Sequence, residues 1–474
     1  MSIIQFSVMQ ASLACCIKRL FIFWVVIPFA SVFSQNQSKR PNIIFLLTDD
    51  HRYDALGAMG NQLIQTPHLD KLANEGVLFT NAYVTTSISC SSRASLLTGQ
   101  YTSRHGITDF SKTFSAENLQ NTYPVLLREA GYATGFIGKY GVGEYASQPN
   151  DLFDYWACDQ GTQPDYELTD TYGYYMHHTD RLNRDAAQFL DNYAGTNEPF
   201  CLSISFKAPH VQDGDPRQFI THPRYDKYYQ DVTIPRPETG DDTFWDLLPP
   251  FFKERNEARN RWKVRFSTPE LYQHNVKNYY RLITQVDDMT GDLMYQLKRL
   301  GIEQHTIIIF MGDNGFFLGE HGLAGKWYIY EESIRVPLFI YDPTAPATER
   351  GKKVSSLALN IDIAPTLLSL AGLPVPAGMQ GQNLMKTLEA DNASWRKDFF
   401  YEHPFQHPDI PKSEGVVSEE YKYVIYYEQN PVYEEFFDLK NDPHETRNLI
   451  NDINCMPMID EYKNRYLHYK KNMN

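Results

Sequence analysis

Cysteine is scarce in this chain of 474 residues: there are six, two of them at Cys15 and Cys16, and beyond residue 34 only Cys90, Cys158, Cys201 and Cys455. Four cysteines so widely scattered make neither a disulfide framework nor the paired spacing of a zinc cluster. There is no block of lysine and arginine, and acidic residues outnumber basic ones by 58 to 44, for a formal charge of -14. An acidic surface opposes nonspecific attachment to nucleic acid or anionic lipid, so neither is expected as a partner. Internal repeats and low-complexity tracts are missing too. What is left is an ordinary globular composition, 42% hydrophobic and 14% aromatic, in a chain longer than the ~250 to 300 residues at which single cores stop growing.

One long apolar run stands at the N-terminus. Lys18 and Arg19 precede Leu20 to Phe33, and the run closes on Val32-Phe33-Ser34, where a peptidase could cut. It is shorter than the ~20 residues of a spanning helix, and residues 1–34 read as a signal peptide. Its removal takes away two basic residues and no acidic ones, moving the charge from -14 to -16. The mature protein is expected to be periplasmic or secreted, with no stable membrane insertion.

Asn42 to Leu47 is a continuous apolar run, the pattern of a central strand covered on both faces. Three similar runs follow, Ala133 to Ile137, Phe200 to Phe206 and Thr306 to Met311, separated by helical spacing over Pro67 to Glu75, Tyr123 to Ala130, Arg181 to Tyr193 and Val276 to Leu300. Strands alternating with helices predict an α/β fold: a large, mostly parallel sheet with helices on both faces. A polar, proline-rich segment, Val211 to Glu270, reads as an insertion that walls a pocket. Its Arg224, Trp245, Trp262 and Arg265 suit a saccharide cleft and suit surface packing equally. Tyr421 to Tyr427 and Glu435 to Leu439 predict a small antiparallel sheet. The division expected is a catalytic α/β region over 35–373 and an α+β subdomain over 374–474.

Ligands in such sheets bind beyond the carboxyl ends of the strands. Asp49, Asp50, Lys139, His210, Asp313 and Asn314 all lie at or just after the ends of the predicted strands. The three carboxylates and the amide are hard oxygen donors of the kind calcium or magnesium takes. Taken alone an Asp-Asp pair is more often a cap or a turn, a lysine a surface residue, and a histidine after proline part of a loop; their shared placement argues otherwise. Ser89 and Arg93 are four apart at the start of a predicted helix, on one face, where free amides also favour an anion.

Ser89 to Gly99, Ser-Cys-Ser-Ser-Arg-Ala-Ser-Leu-Leu-Thr-Gly, resembles the signature of the type I sulfatases of the alkaline phosphatase superfamily, in a serine-type variant. Leu47-Thr48-Asp49-Asp50, Gly138-Lys139, Pro209-His210, Gly312 to Gly315, Gly319 to Gly322 with Lys326, and Glu331 to Pro337 are similar to further family segments in family order. The resemblance implies that a radical maturase of a bacterial host oxidises Ser89 to formylglycine (3-oxoalanine). The hydrated aldehyde would then attack sulfur, and its second hydroxyl would expel sulfate. It implies one calcium held by Asp49, Asp50, Asp313, Asn314 and modified Ser89. Arg93 would steady that site, Lys139 and Lys326 would neutralise sulfate oxygens, and His210 would protonate the leaving alcohol. The implied substrate is a sulfate ester on carbohydrate.

Two positions depart from the family pattern: Ser91 stands where proline or alanine is usual, and after Lys139 and Tyr140, Gly141 stands where a histidine thought to assist the hydrated aldehyde is common. Cys90 is the wrong residue for modification, being three and not four before Arg93. His105 and His321 have packing roles as plausible as a place in the pocket. Two other functions fit the same residues: a two-metal phosphoesterase using plain Ser89, and a noncatalytic binder of sulfated glycan.

Overall fold

The computed structural model describes residues 40–161, 163–389 and 394–473. The segment read as a signal peptide lies outside them. Among the described residues no helix is long and apolar enough to cross a membrane.

Eight strands form the main sheet: β1 (Asn42–Thr48), β2 (Val77–Phe79), β3 (Ala133–Gly138), β4 (Tyr155–Cys158), β5 (Phe200–Ser205), β6 (Thr306–Gly312), β7 (Leu338–Tyr341) and β8 (Lys352–Val354). Their order is β8-β2-β7-β6-β1-β5-β3-β4. The five from β6 to β4 are parallel; β7 runs antiparallel to both its neighbours. The four long apolar runs are therefore adjacent at the centre. Their continuity has a direct cause: Ile43, Phe45 and Leu47 of β1 enter the core on one face, and Ile44 and Leu46 the core on the other. Both sides of the strand are covered, so neither can be polar.

Helices α1 (Pro67–Glu75), α2 (Ser89–Thr98), α3 (His178–Tyr193), α4 (Glu257–Arg265) and α5 (Pro269–Arg299) belong to these layers. Helix α5 starts seven residues before its expected beginning at Val276. Pro269 at its first turn and a Thr268 side chain accepting from the Leu271 amide at 3.2 Å supply the start signals. Val276, Tyr279, Leu282, Ile283, Val286, Met289 and Leu293 then form its buried stripe.

A second sheet of four antiparallel strands, β9 (Asp398–His403), β10 (Ser413–Ser418), β11 (Tyr421–Tyr426) and β12 (Tyr433–Asp438), precedes helix α6 (Met456–Asn472). One face of this sheet, with Val416, Tyr423 and Phe436, packs on Ile459 and Tyr462 of α6. The other, with Phe399, Val417, Val424 and Phe437, joins the main core. The Tyr401 hydroxyl of β9 donates to Trp327 O at 2.9 Å and accepts from the Ser87 amide at 3.3 Å, bridging two loops of the main sheet. Lys422 of β11 is fully buried and paired with Glu331 at 2.9 Å and Glu445 at 2.7 Å.

Burial, reinforced by Glu445, pushes the carboxyl of Glu435 in β12 up to about 8. The unfolded chain releases that proton near ~4.3, so across the intervening pH range the folded state holds more protons, and this group's contribution to stability falls as pH rises. Denaturant unfolding of E435Q against wild type should therefore show the variant gaining relative stability from pH 5 to pH 8. A constant difference across that range would mean that Glu435 ionises normally.

Candidate active site

The register of β1 and β6 sets Thr48 opposite Gly312, so Asp49 and Asp313 emerge side by side. The Asp313 amide donates to Thr48 O at 2.8 Å, and the Asp49 amide to Ala208 O, beyond β5, at 3.1 Å. Asp50 turns into the left-handed region with φ 59°, which short polar side chains tolerate better than most. Its amide donates to Asp313 Oδ1 at 3.0 Å, its carbonyl accepts the Tyr279 hydroxyl at 2.7 Å, and its Oδ1 accepts Asn314 Nδ2 at 2.6 Å.

On the other side of β1, β3 ends at Gly138, with φ 89°. A Cβ there would lie 2.1 Å from Ser205 O, so only glycine lets the chain pass β5. Lys139 follows: its amide donates to Ser205 O at 2.9 Å and its ammonium pairs with Asp49 Oδ2. Lys326 pairs with Asp50 Oδ1 and donates to Ser89 Oγ at 3.3 Å. Both lysines are buried, which their charge permits only beside matching carboxylates.

Ser89 opens α2, and its Oγ donates to Asp49 Oδ1 at 3.1 Å and Asn314 Oδ1 at 3.4 Å. One turn on, Arg93 donates from Nε to Asp313 Oδ2 at 2.8 Å and from Nη1 to Lys139 O at 2.7 Å. Its Nη2 lies 3.4 Å from Asp49 Oδ2 and has no hydrogen-bond partner. His210 donates from Nδ1 to Val211 O at 2.7 Å, which leaves the Nε2 lone pair facing Gln163 Nε2 at 3.2 Å, with Asp50 Oδ2 3.4 Å away. All nine residues singled out from the sequence thus come together.

Burial dominates the titration here. It would raise Asp49, but Lys139, Arg93 and Lys326 hold that carboxyl well below the usual range. Asp50 is pushed up to about 6 by burial, with Asp49 and Asp313 adding to the rise against Lys326. Asp313 is raised by burial and by Asp49. His210 is driven down by burial and is neutral at rest. Three carboxylates face three cationic side chains, a balance that a divalent cation arriving with a doubly charged anion leaves unaltered. Asp49, Asp50 and His210 each offer a ligand atom within 4.8 Å of the others, and Asp313 and Asn314 add oxygens alongside. These hard donors, the elevated Asp50 and the orphaned Arg93 Nη2 fit a divalent cation with an anion beside it.

A model of the sulfatase family matches residues 41–373, and one described as the N-sulphoglucosamine sulphohydrolase C-terminal region matches residues 319–472. The chain belongs to the sulfatase family. It is a sulfuric ester hydrolase, in a family that is generally metal-dependent. Among sulfatase relatives it is 32% identical to an N-acetylglucosamine-6-O-sulfatase of Bacteroides thetaiotaomicron, over 91% of this chain and 88% of the relative. It is 30% identical to an arylsulfatase of Clostridium perfringens, over 91% and 93%. A protein solved with its substrate D-glucosamine-2-N,6-O-disulfate superposes with a TM-score of 0.78 at 28% identity, covering 92% of this chain and 98% of that one.

Both departures from the sulfatase pattern have structural partners. The Ser91 hydroxyl donates to Ile107 O at 2.7 Å, away from Ser89. Cys90 packs in the core, where burial pushes its thiol up to about 11. His105 meets Ser95 Oγ at 3.1 Å and the Ile107 amide at 3.0 Å, and His321 packs on Tyr330, so both are structural. Arg224 pairs with Asp180 at 2.6 Å, and Trp245 and Trp262 sandwich Arg259. Sequence reasoning missed Gln163, Ser205 and Lys207. Ser205 accepts from Arg93 Nη1 and donates to Lys139 O at 2.6 Å. Lys207 is buried, and burial with Lys139 nearby pushes it down to about 8. Lys207 lies two residues beyond the end of β5, near the strand end that marks the other site residues.

Gly141 has φ 75°, and a Cβ there would lie 2.5 Å from Arg93 Cδ. The Arg93 side chain occupies the space a residue at 141 would need. G141A is therefore expected to cost about 1–3 kcal/mol in urea unfolding and to reduce sulfate release by displacing Arg93. Unchanged stability and turnover would show that position 141 is open.

Proposed function

We propose that this sulfatase is exported and releases sulfate from sulfated carbohydrate, using one calcium ion and a formylglycine made from Ser89 by a maturase. The observation that carries this reading is that Ser89 Oγ lies within hydrogen-bond reach of Asp49, Asn314 and Lys326 where the strand ends converge. The N-acetylglucosamine-6-O-sulfatase relative and the neighbour solved with a disulfated glucosamine support a carbohydrate substrate. The apolar run Leu20 to Phe33 after Lys18-Arg19 supports export.

Asp49, Asp50, Asp313, Asn314 and the modified side chain at 89 would hold the calcium, which supplies positive charge to sulfate oxygens and to the nucleophile. A hydrated aldehyde at 89 supplies one hydroxyl for attack on sulfur and a second to release sulfate, which a plain serine lacks. Lys326, 3.3 Å from Ser89 Oγ, and Lys139, paired with Asp49, would neutralise sulfate oxygens. Arg93 locks Asp313 and the Lys139 carbonyl, keeping metal side and anion side in register. His210, its Nδ1 fixed by Val211 O, presents Nε2 to the ester oxygen; the docked anion raises its proton affinity so that it protonates the departing alcohol. A two-metal phosphoesterase needs a second ligand set. The other such group among the described residues, His68, Asp287 and Asp288, joins α1 to α5, where Asp287 accepts the Leu69 amide.

Peptide mass spectrometry across Ser89, on protein from a host with the maturase, should find that residue lighter by a pair of hydrogens. S89A should lower sulfate release by at least about three orders of magnitude. Chelation should abolish activity, calcium should restore it, and metal analysis should give one ion per chain. Full activity with an unmodified Ser89, or two bound ions per chain, would overturn the reading.

A further inference from the structure

The insertion between β5 and α5 builds a polar wall against two of the groups just described. Asp213 lies three residues after His210, with its carboxylate half exposed. Arg261 of α4 lays its guanidinium over the indole of Trp327, 4.9 Å from the ring centre, and Trp327 directly follows Lys326. Asp213 and Arg261 thus stand together, Nη1 to Oδ1 3.5 Å, with Asp213 near the histidine assigned to the leaving alcohol and Arg261 on the tryptophan that follows a lysine assigned to the sulfate. Arg265, one turn along α4, has Nη2 3.7 Å from the same Oδ1. Both separations are long for hydrogen bonds, so Asp213 keeps unfilled acceptor capacity.

Other residues hold the two arginines in place. Arg261 Nε donates to Glu257 Oε1 at 2.8 Å, and Arg265 Nε to Gln218 Oε1 at 2.8 Å. The buried Nη1 of Arg265 has no partner. A planar donor fixed beside an exposed acceptor is the arrangement that reads neighbouring hydroxyl groups. Charge narrows the choice further. Arg261 and Arg265 are matched by Asp213 and Glu257, so the wall carries no net charge and favours neutral polar groups over a second sulfate or a carboxylate.

We propose that Asp213 and Arg261 form the subsite for the sugar ring of the leaving alcohol, with Asp213 accepting and Arg261 donating hydrogen bonds to hydroxyl or N-acyl groups beside the sulfate ester. This rests on the sulfatase reading above and adds to it a structural basis for preferring a saccharide over other sulfate esters. An aryl sulfate has nothing to offer Asp213 and leaves the spare acceptor capacity of that carboxylate unused.

The test compares kcat/KM of the matured enzyme for N-acetylglucosamine-6-O-sulfate and for 4-nitrophenyl sulfate, in wild type, D213A, R261A and R224A. D213A and R261A should each lower the sugar-to-aryl ratio by about tenfold or more, mainly through a higher KM for the sugar. R224A, whose arginine pairs with Asp180, should keep the wild-type ratio. R261K should recover only part of the loss, because an ammonium lacks the planar fork. A ratio that D213A and R261A leave unmoved, or a wild type that cleaves the aryl ester but not the sugar, would overturn the subsite while leaving the sulfatase reading intact. A wild type that releases sulfate from neither ester would overturn that reading itself.

Discussion

Mutual neutralisation of buried charge at the carboxyl ends of β1, β3, β5 and β6 holds this site together. Asp49, Asp50 and Asp313 lie beneath Arg93, Lys139 and Lys326, all of them buried. At an effective dielectric of ~20, two like charges ~4 Å apart repel by about 4 kcal/mol, so three carboxylates survive together only with cations among them. Each cation is placed by a different part of the chain: Arg93 by a helix, Lys139 by a strand end, and Lys326 by the loop after the two-residue strand Ala324–Gly325. No one segment makes the site, and none can shift without leaving a charge uncompensated.

The scaffold serves that balance. The register between β1 and β6 delivers Asp49 and Asp313 as neighbours, and Gly138 lets β3 run close enough to Ser205 to bring Lys139 in from the opposite side. The C-terminal sheet contributes at a distance: Tyr401 ties the loop before Ser89 to the loop after Lys326, and buried Lys422 anchors the Glu331 segment behind them. A C-terminal sheet without a candidate catalytic residue thereby braces two segments whose groups are expected to grip one anion.

The central strands were legible because strands covered on both faces read as unbroken apolar runs. Strands β2, β7 and β8 were not, being three or four residues long with pairing that depends on distant partners. Ser89, Arg93 and Lys326 were legible because they lie in motifs in family order, and Asp49, Asp50, Lys139, His210, Asp313 and Asn314 because they sit at or just after the ends of the long strands. Lys207 shares that position and escaped notice, since a lysine beside a strand end is usually solvated. The empty place at Gly141 looked like a missing histidine; only the structure shows Arg93 filling it.

The sequence alone determined the fold class, the family, and the residues gathered around Ser89, because strand periodicity and motif order survive in one dimension. Tertiary structure decided which groups neutralise one another, why Gly141 bears no side chain, and that Asp213 and Arg261 stand together beside the pocket. Those depend on distances of a few ångströms between segments tens to hundreds of residues apart, and electrostatic energy and steric exclusion vary steeply on that scale.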